Sequence, residues 1–269
     1  MILGVHLTLN GTSISDTIVR AERLGLDAAA VCIASPLSLA NRPEPDNFMP
    51  LNTTLDVSIH APYVINPASA SKKSIAEKIL LNEVKAAERL GAKRIVMHPG
   101  SATDCLRDEA VSNIREVLAA LPDAVDICVE TMVGQGNEMC YTLEELARVV
   151  EGLPEHIGVC LDTCHLHDAG YDLTNTAEFL SKIESTVGFD RVKIIHVNGS
   201  LNERGSRKDR HAALQDKWNL IPVPAICALV QSMPIKNIPV ILECFKNDDT
   251  VTADLALLKR KVRVPRVSN

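Results

Sequence analysis

Six short apolar runs in this chain end in a residue able to bind a metal or move a proton. V-S-I-H closes on His60, I-V-M-H on His98, I-C-V-E on Glu130, V-C-L-D on Asp162, I-I-H on His196 and V-I-L-E on Glu243. Further donors follow: His165, three residues after Asp162, and Asp209 and His211 of the D-R-H segment. A charged group placed directly after such a run cannot stay buried without a partner. Coordination of a divalent cation resolves this, using neutral imidazole and ionised carboxylate as ligands. One histidine at a strand end is most often an ordinary rim residue, but six successive endings of this kind form a constellation. A catalytic zinc ion takes three protein ligands plus water, so nine donors imply two or three ions with a shared carboxylate. Histidine with carboxylate and no thiolate suits zinc, manganese or ferrous iron, zinc being the commonest. His6, His156 and His167 receive no role from this pattern.

The elements that must carry these residues are legible as apolar runs alternating with amphipathic stretches. Strands are predicted at Leu3–Thr8, Ala28–Ala34, Val57–Ala61, Arg94–His98, Asp126–Thr131, Gly158–Asp162, Val192–Val197 and Val240–Glu243. Several are apolar at consecutive positions, as strands covered on both faces are. Helices are predicted at Ser15–Leu24, Ser71–Leu90, Asp108–Leu121, Thr142–Val150, Asn175–Thr186, Val223–Gln231 and Val251–Lys261, with Gly25 and Gly91 as stops. Such alternation predicts an α/β fold, a single (β/α)8 TIM barrel over residues 1–269, with the metal site at the C-terminal ends of the strands. The competing doubly wound sheet lacks its G-x-G-x-x-G fingerprint. The four prolines of Ala34–Pro50 predict an irregular loop in place of a second helix.

With 46% hydrophobic and 23% charged residues, the chain of 269 has the profile of an ordinary globular protein. No apolar run approaches a membrane span, and MILGVHL lacks a basic n-region, so a cytoplasmic or nuclear, unsecreted protein is expected. The eight cysteines, Cys32, Cys128, Cys160, Cys227 and Cys244 among them, are scattered singly and read as reduced core residues. A net charge of −6 argues against generic nucleic-acid binding. Residues 191–217 depart from it, with seven basic side chains, Arg207 and Arg210 included, against three acidic ones. Beside His196 and His211 this surplus reads as a phosphate-facing patch. The basic Lys259–Arg266 tail reads as a solvated helix end.

The segments HAPYVIN (60–66), MHPGS (97–101), ETMVGQG (130–136), GVCLDTCHLHDAGYD (158–172), HVNGS (196–200), GSRKDRH (205–211) and ILE (241–243) resemble the endonuclease IV family of apurinic/apyrimidinic endonucleases, in the family's order. The resemblance implies a (β/α)8 barrel with three zinc ions. His60, His98 and Glu130 would hold the first, Glu130 as a bridge with Asp162, His196 and Glu243 the second, and His165, Asp209 and His211 the third. It implies a monomer acting on double-stranded DNA, cleaving 5′ to an abasic site to leave a 3′-hydroxyl and a 5′-deoxyribose phosphate, and trimming blocked 3′ ends. The nucleophile would be a hydroxide bridging the first two ions, since a metal lowers the pKa of bound water to about 7. Tyr63 and Val64 of HAPYVIN would fill the gap left by the extruded lesion.

Two departures from the family pattern are visible. The glycine-bearing turn after D-R-H is replaced by H-A-A-L-Q-D-K-W-N-L-I-P, and the loop after the second strand puts Ser38 where the family has an inserting arginine, Arg42 being out of register. Two other readings remain. A single-metal sugar isomerase or epimerase would need only Glu130, Asp162, His196 and Glu243, and a non-catalytic damage-binding protein would retain the metals for structure.

Overall fold

The computed structural model describes residues 1–9, 11–234, 237–243 and 247–262. Cys244 and the end of the basic tail from residue 263 onwards lie outside the described residues.

Parallel strands β1 (Ile2–Leu7), β2 (Ala28–Val31), β3 (Asp56–His60), β4 (Arg94–Met97), β5 (Asp126–Glu130), β6 (Ile157–Asp162) and β7 (Val192–His196) alternate with helices α1 (Ile14–Arg23), α2 (Lys73–Leu90), α3 (Arg107–Ala119), α4 (Leu143–Val150), α5 (Thr163–Ala169) and α6 (Thr176–Thr186). A two-residue hairpin, β8 (Gly199–Ser200) with β9 (His211–Ala212), precedes α7 (Val223–Ser232), β10 (Pro239–Leu242) and α8 (Asp248–Lys261). The eight long strands close into a barrel in the order β1-β10-β7-β6-β5-β4-β3-β2, as expected. The Ala34–Pro50 segment holds one 3-10 turn, Pro45–Asn47, and no α-helix.

Two apolar layers hold the barrel. The larger lies between strands and helices; the smaller fills the interior with Ala28, Ala30, Val96, Cys128, Cys160, Ile194 and Ile241. Small residues at β1 and β2 match a tight approach there: a Cβ on Gly4 would stand 2.5 Å from the Ala28 carbonyl oxygen. The described cysteines are all free thiols, as the reading of reduced core residues requires. Among the described residues no helix is long and apolar enough to cross a membrane.

Side chains on a strand alternate between faces, so the inward residue above each interior residue is two positions later. Above Val96, Cys128, Cys160, Ile194 and Ile241 therefore stand His98, Glu130, Asp162, His196 and Glu243. The filled interior becomes the floor of the polar site.

Candidate metal centre

Glu130 lies fully buried at the centre of the mouth. Its Oε2 is 3.2 Å from Nε2 of both His60 and His98, and its Oε1 is 2.8 Å from Nδ1 of His196. The same His196 nitrogen is 3.2 Å from Oε1 of Glu243. Asn198 Nδ2 donates to Asp162 Oδ2 at 2.6 Å and to Glu243 Oε2 at 3.3 Å, spacing these two carboxylates. Glu130, Asp162, His196 and Glu243 bring donor atoms within 4.8 Å of one another, as do His60, Glu130 and His196.

A second cluster stands beside the first. Asp162 caps α5, its Oδ1 accepting from the His165 amide at 2.9 Å, and this turn carries the His165 ring into the mouth. His165 Nδ1 is 2.6 Å from the Thr131 carbonyl, so it is the protonated nitrogen and Nε2 faces the site. That Nε2 lies 3.4 Å from Nε2 of His211 and 3.5 Å from Oδ2 of Asp209, while His211 Nε2 is 3.2 Å from Oδ1 of Asp209. The hairpin supplies His211 by pairing it with Ser200.

Electrostatics make the cluster a cation site. Burial opposes charge on Glu130, yet His196, His60 and His98 hold its carboxyl well below the usual range. Burial likewise opposes charge on Glu243, against His196 and His6, which hold it low. Burial raises the Asp162 carboxyl despite His165 and His211. Against burial, Asp162, Asp209 and Glu130 pull His165 well above an ordinary imidazole. Among the described residues no lysine or arginine pairs with these carboxylates; imidazoles alone balance them. Such a donor set fits divalent cations, which displace the imidazole protons.

The structure thus gathers all nine expected donors. It also brings to the mouth a histidine that the strand-end pattern passed over, as a partner of one of these donors. His6 stands two positions after Gly4, at the same inward level as the others, and its Nδ1 is 3.0 Å from Oε1 of Glu243. The signal was the period-two alternation on β1, hidden because β1 continues for one more apolar residue, Leu7.

A cavity of about 400 Å³ opens over the centre, lined by His6, Tyr63, Met132 and Glu138 among the donors. The Tyr63 ring stacks on His98, with centroids 5.1 Å apart, and meets His60 edge-on. Val64 is exposed beside it. Arg207 and Arg210 are exposed on the β8–β9 connection, Arg207 lying over the Tyr141 ring at 4.7 Å. Arg42 is tied down by other partners: its Nε donates to the buried Glu83 at 3.0 Å and its Nη1 to the carbonyls of Ser35 and Ser38 at 3.2 Å.

A closed parallel barrel whose mouth gathers four carboxylates and five imidazoles places the protein in the xylose isomerase-like TIM barrel class, whose family model matches residues 18–261. Within that class the chain belongs to the endonuclease IV family of nucleases. It is 43% identical over 192 residues to a probable endonuclease 4 of Mycoplasma pneumoniae, covering 69% of this chain and 66% of the relative. A probable endonuclease 4 of Oceanobacillus iheyensis is 33% identical over 258 residues, 90% of this chain and 86% of the relative. The crystal structure of endonuclease IV from Thermus thermophilus superposes with a TM-score of 0.83 at 26% identity, covering 97% of this chain and 99% of that one. A D-tagatose 3-epimerase-like protein shares the fold at a TM-score of 0.74 and 19% identity, covering 97% of each chain.

Proposed function

We propose that the protein is a zinc-dependent endonuclease that hydrolyses the DNA phosphodiester 5′ to abasic sites and trims blocked 3′ ends. One observation carries the reading: His165, Asp209 and His211 converge beside the Glu130–Asp162–His196–Glu243 quartet. That quartet would suffice for a single-metal sugar isomerase or epimerase; the extra triad has no use there and suits a polynuclear phosphodiesterase.

We assign three zinc ions per chain. His60, His98 and Glu130 hold one; Glu130, shared, acts with Asp162, His196 and Glu243 on another; His165, Asp209 and His211 hold the last. Zinc supplies Lewis acidity and lowers the pKa of bound water, serving both nucleophile and leaving oxygen. The chain's own work is to hold these donors in place and orient their ligating atoms. Thr131 fixes the His165 tautomer and Asn198 fixes Asp162 and Glu243. Tyr63 and Val64 line the approach to the centre and fill the space left by an extruded nucleotide, and Arg207 and Arg210 face the phosphates. The same reading makes the protein a monomeric, single-domain, unsecreted enzyme of the compartment that holds the DNA.

Incubation with a duplex containing one abasic site tests this. A nick 5′ to the lesion, with a 3′-hydroxyl product and about three zinc ions per chain by elemental analysis, is the expected result. One metal per chain, no incision, and activity on a ketose with manganese would establish the isomerase instead. Tight binding of the abasic duplex with all metals present and no nick would establish a binding protein.

A further inference from the structure

The connection from β7 to α7 carries three large apolar side chains in solvent: Leu201 is 44% exposed, Trp218 64% and Leu220 42%. They do not belong to a loose loop. Asp254 of α8, buried, accepts from the amides of Leu214 and Gln215 at 2.8 and 3.2 Å. Asp216 accepts from the Trp218 amide at 3.0 Å, and Asn219 accepts from Ser200 and Ile221 at 3.1 and 2.9 Å. The side chain of Asn219 packs so closely on Gly199 that a Cβ there would stand 2.4 Å from its oxygen. Replacement of the family's glycine turn has therefore produced another ordered turn, with Trp218 held outward.

The turn is continuous with the candidate metal centre. The Leu220 amide donates to the Ser200 carbonyl at 2.7 Å and the Leu201 amide to the Arg210 carbonyl at 3.0 Å, so both flank the Ser200–His211 pair. Cations surround it: the Lys217 ammonium sits 4.9 Å from the centre of the Trp218 ring, and Lys208 and Arg210 are exposed on the adjoining hairpin. In a chain of net charge −6, residues 191–217, which lead into this turn, carry seven basic side chains against three acidic ones. A protein-binding patch would not need such a rim, whereas nucleic acid engages cations for its phosphates and an aromatic face for its bases and sugars.

We propose that Trp218, flanked by Leu201 and Leu220, packs against nucleotides of the duplex beside the lesion, a second point of contact additional to that of Tyr63. The proposal rests on the DNA-cleaving reading above. Contact there would compensate for the absent inserting arginine, since Arg42 is committed to Glu83.

Trp218 is the chain's only tryptophan, so its emission reports on this site in the intact, metal-loaded protein. Binding is followed by anisotropy of a labelled abasic duplex carrying a phosphorothioate at the scissile linkage to slow cleavage, and tryptophan emission and acrylamide quenching are read in the same titration. The expected result is a change in emission and loss of quencher access that track duplex binding, with Trp218→Ala weakening binding about tenfold and Trp218→Phe retaining most of it. Duplex binding with unchanged emission and quenching overturns the proposal while leaving the endonuclease reading intact. No binding of any duplex overturns both. Emission that changes with protein concentration alone would assign the patch to self-association and also overturn it.

Discussion

His6 Nδ1 lies 3.0 Å from Oε1 of Glu243, and His6 Nε2 lies 3.5 Å from the Cys32 thiol. Burial, despite Glu243, lowers the pKa of His6 and keeps it neutral, while burial pushes the Cys32 thiol up to about 12. The network therefore runs one way: the thiol donates to Nε2, and Nδ1–H donates to the carboxylate. His6 holds Glu243 in place without itself needing to touch an ion. Partners of this kind commonly contribute tenfold to a hundredfold in metal affinity. His6→Ala should therefore lose zinc to a competing chelator at about tenfold lower chelator concentration, with folding intact by circular dichroism. His6→Asn, which keeps a donor near Nδ1, should recover part of that loss. Unchanged retention in His6→Ala would remove this role.

Glu130→Gln should reduce incision to background while duplex binding persists, because on the proposed reading Arg207 and Arg210 are untouched and only the central carboxylate is lost. His211→Ala should be less severe, since the donors around Glu130 stay complete. Single-turnover incision by the two variants at saturating enzyme decides it. Equal defects would mean that the two clusters are not functionally separable.

Tyr63 carries a different expectation because its ring both faces the mouth and stacks on His98. Tyr63→Ala should lower affinity for an abasic duplex much more than for an intact duplex of equal length. Tyr63→Phe should behave nearly as wild type, the ring being what fills space. Burial, with Glu243, raises the phenol's pKa, so the hydroxyl stays protonated at any working pH. Equal losses on both duplexes would reduce Tyr63 to a backbone contact.

Glu83 predicts a pH dependence of stability. Buried in α2 against Arg42, its carboxyl is pushed up to about 7, burial outweighing the guanidinium. An acid whose folded pKa is raised contributes stability in full below its ordinary value of 4.5 and loses it as pH climbs through about 7. The full effect is at most roughly 3 kcal/mol. Glu83→Gln should remove this fall, so urea midpoints of wild type and variant should diverge between pH 4.5 and 7.5. Parallel curves would show that Glu83 stays ionised throughout.

Arg42 shows why one part of the site was not legible in the sequence. Its partner lies 41 residues away on another element, and nothing local reveals that the guanidinium is engaged by Glu83 of α2. Helix α5 escaped for another reason: its seven residues, capped by Asp162 and rich in histidine, are too few to show a helical period beside a strand. The β8–β9 hairpin has two residues per strand, below any pattern.

By itself the sequence determined the barrel and its donors. Strands covered on both faces must read as apolar runs, and a charged residue ending such a run must find a partner; both constraints act within a few residues. Tertiary structure decided what depends on which runs become neighbours. Closing β1 against β10 brought His6 to Glu243. The α5 turn aimed His165 at His211, and the Asp254-anchored loop turned Trp218 outward. Each of these joins residues distant in the chain, so only burial and hydrogen bonding across the closed barrel select them.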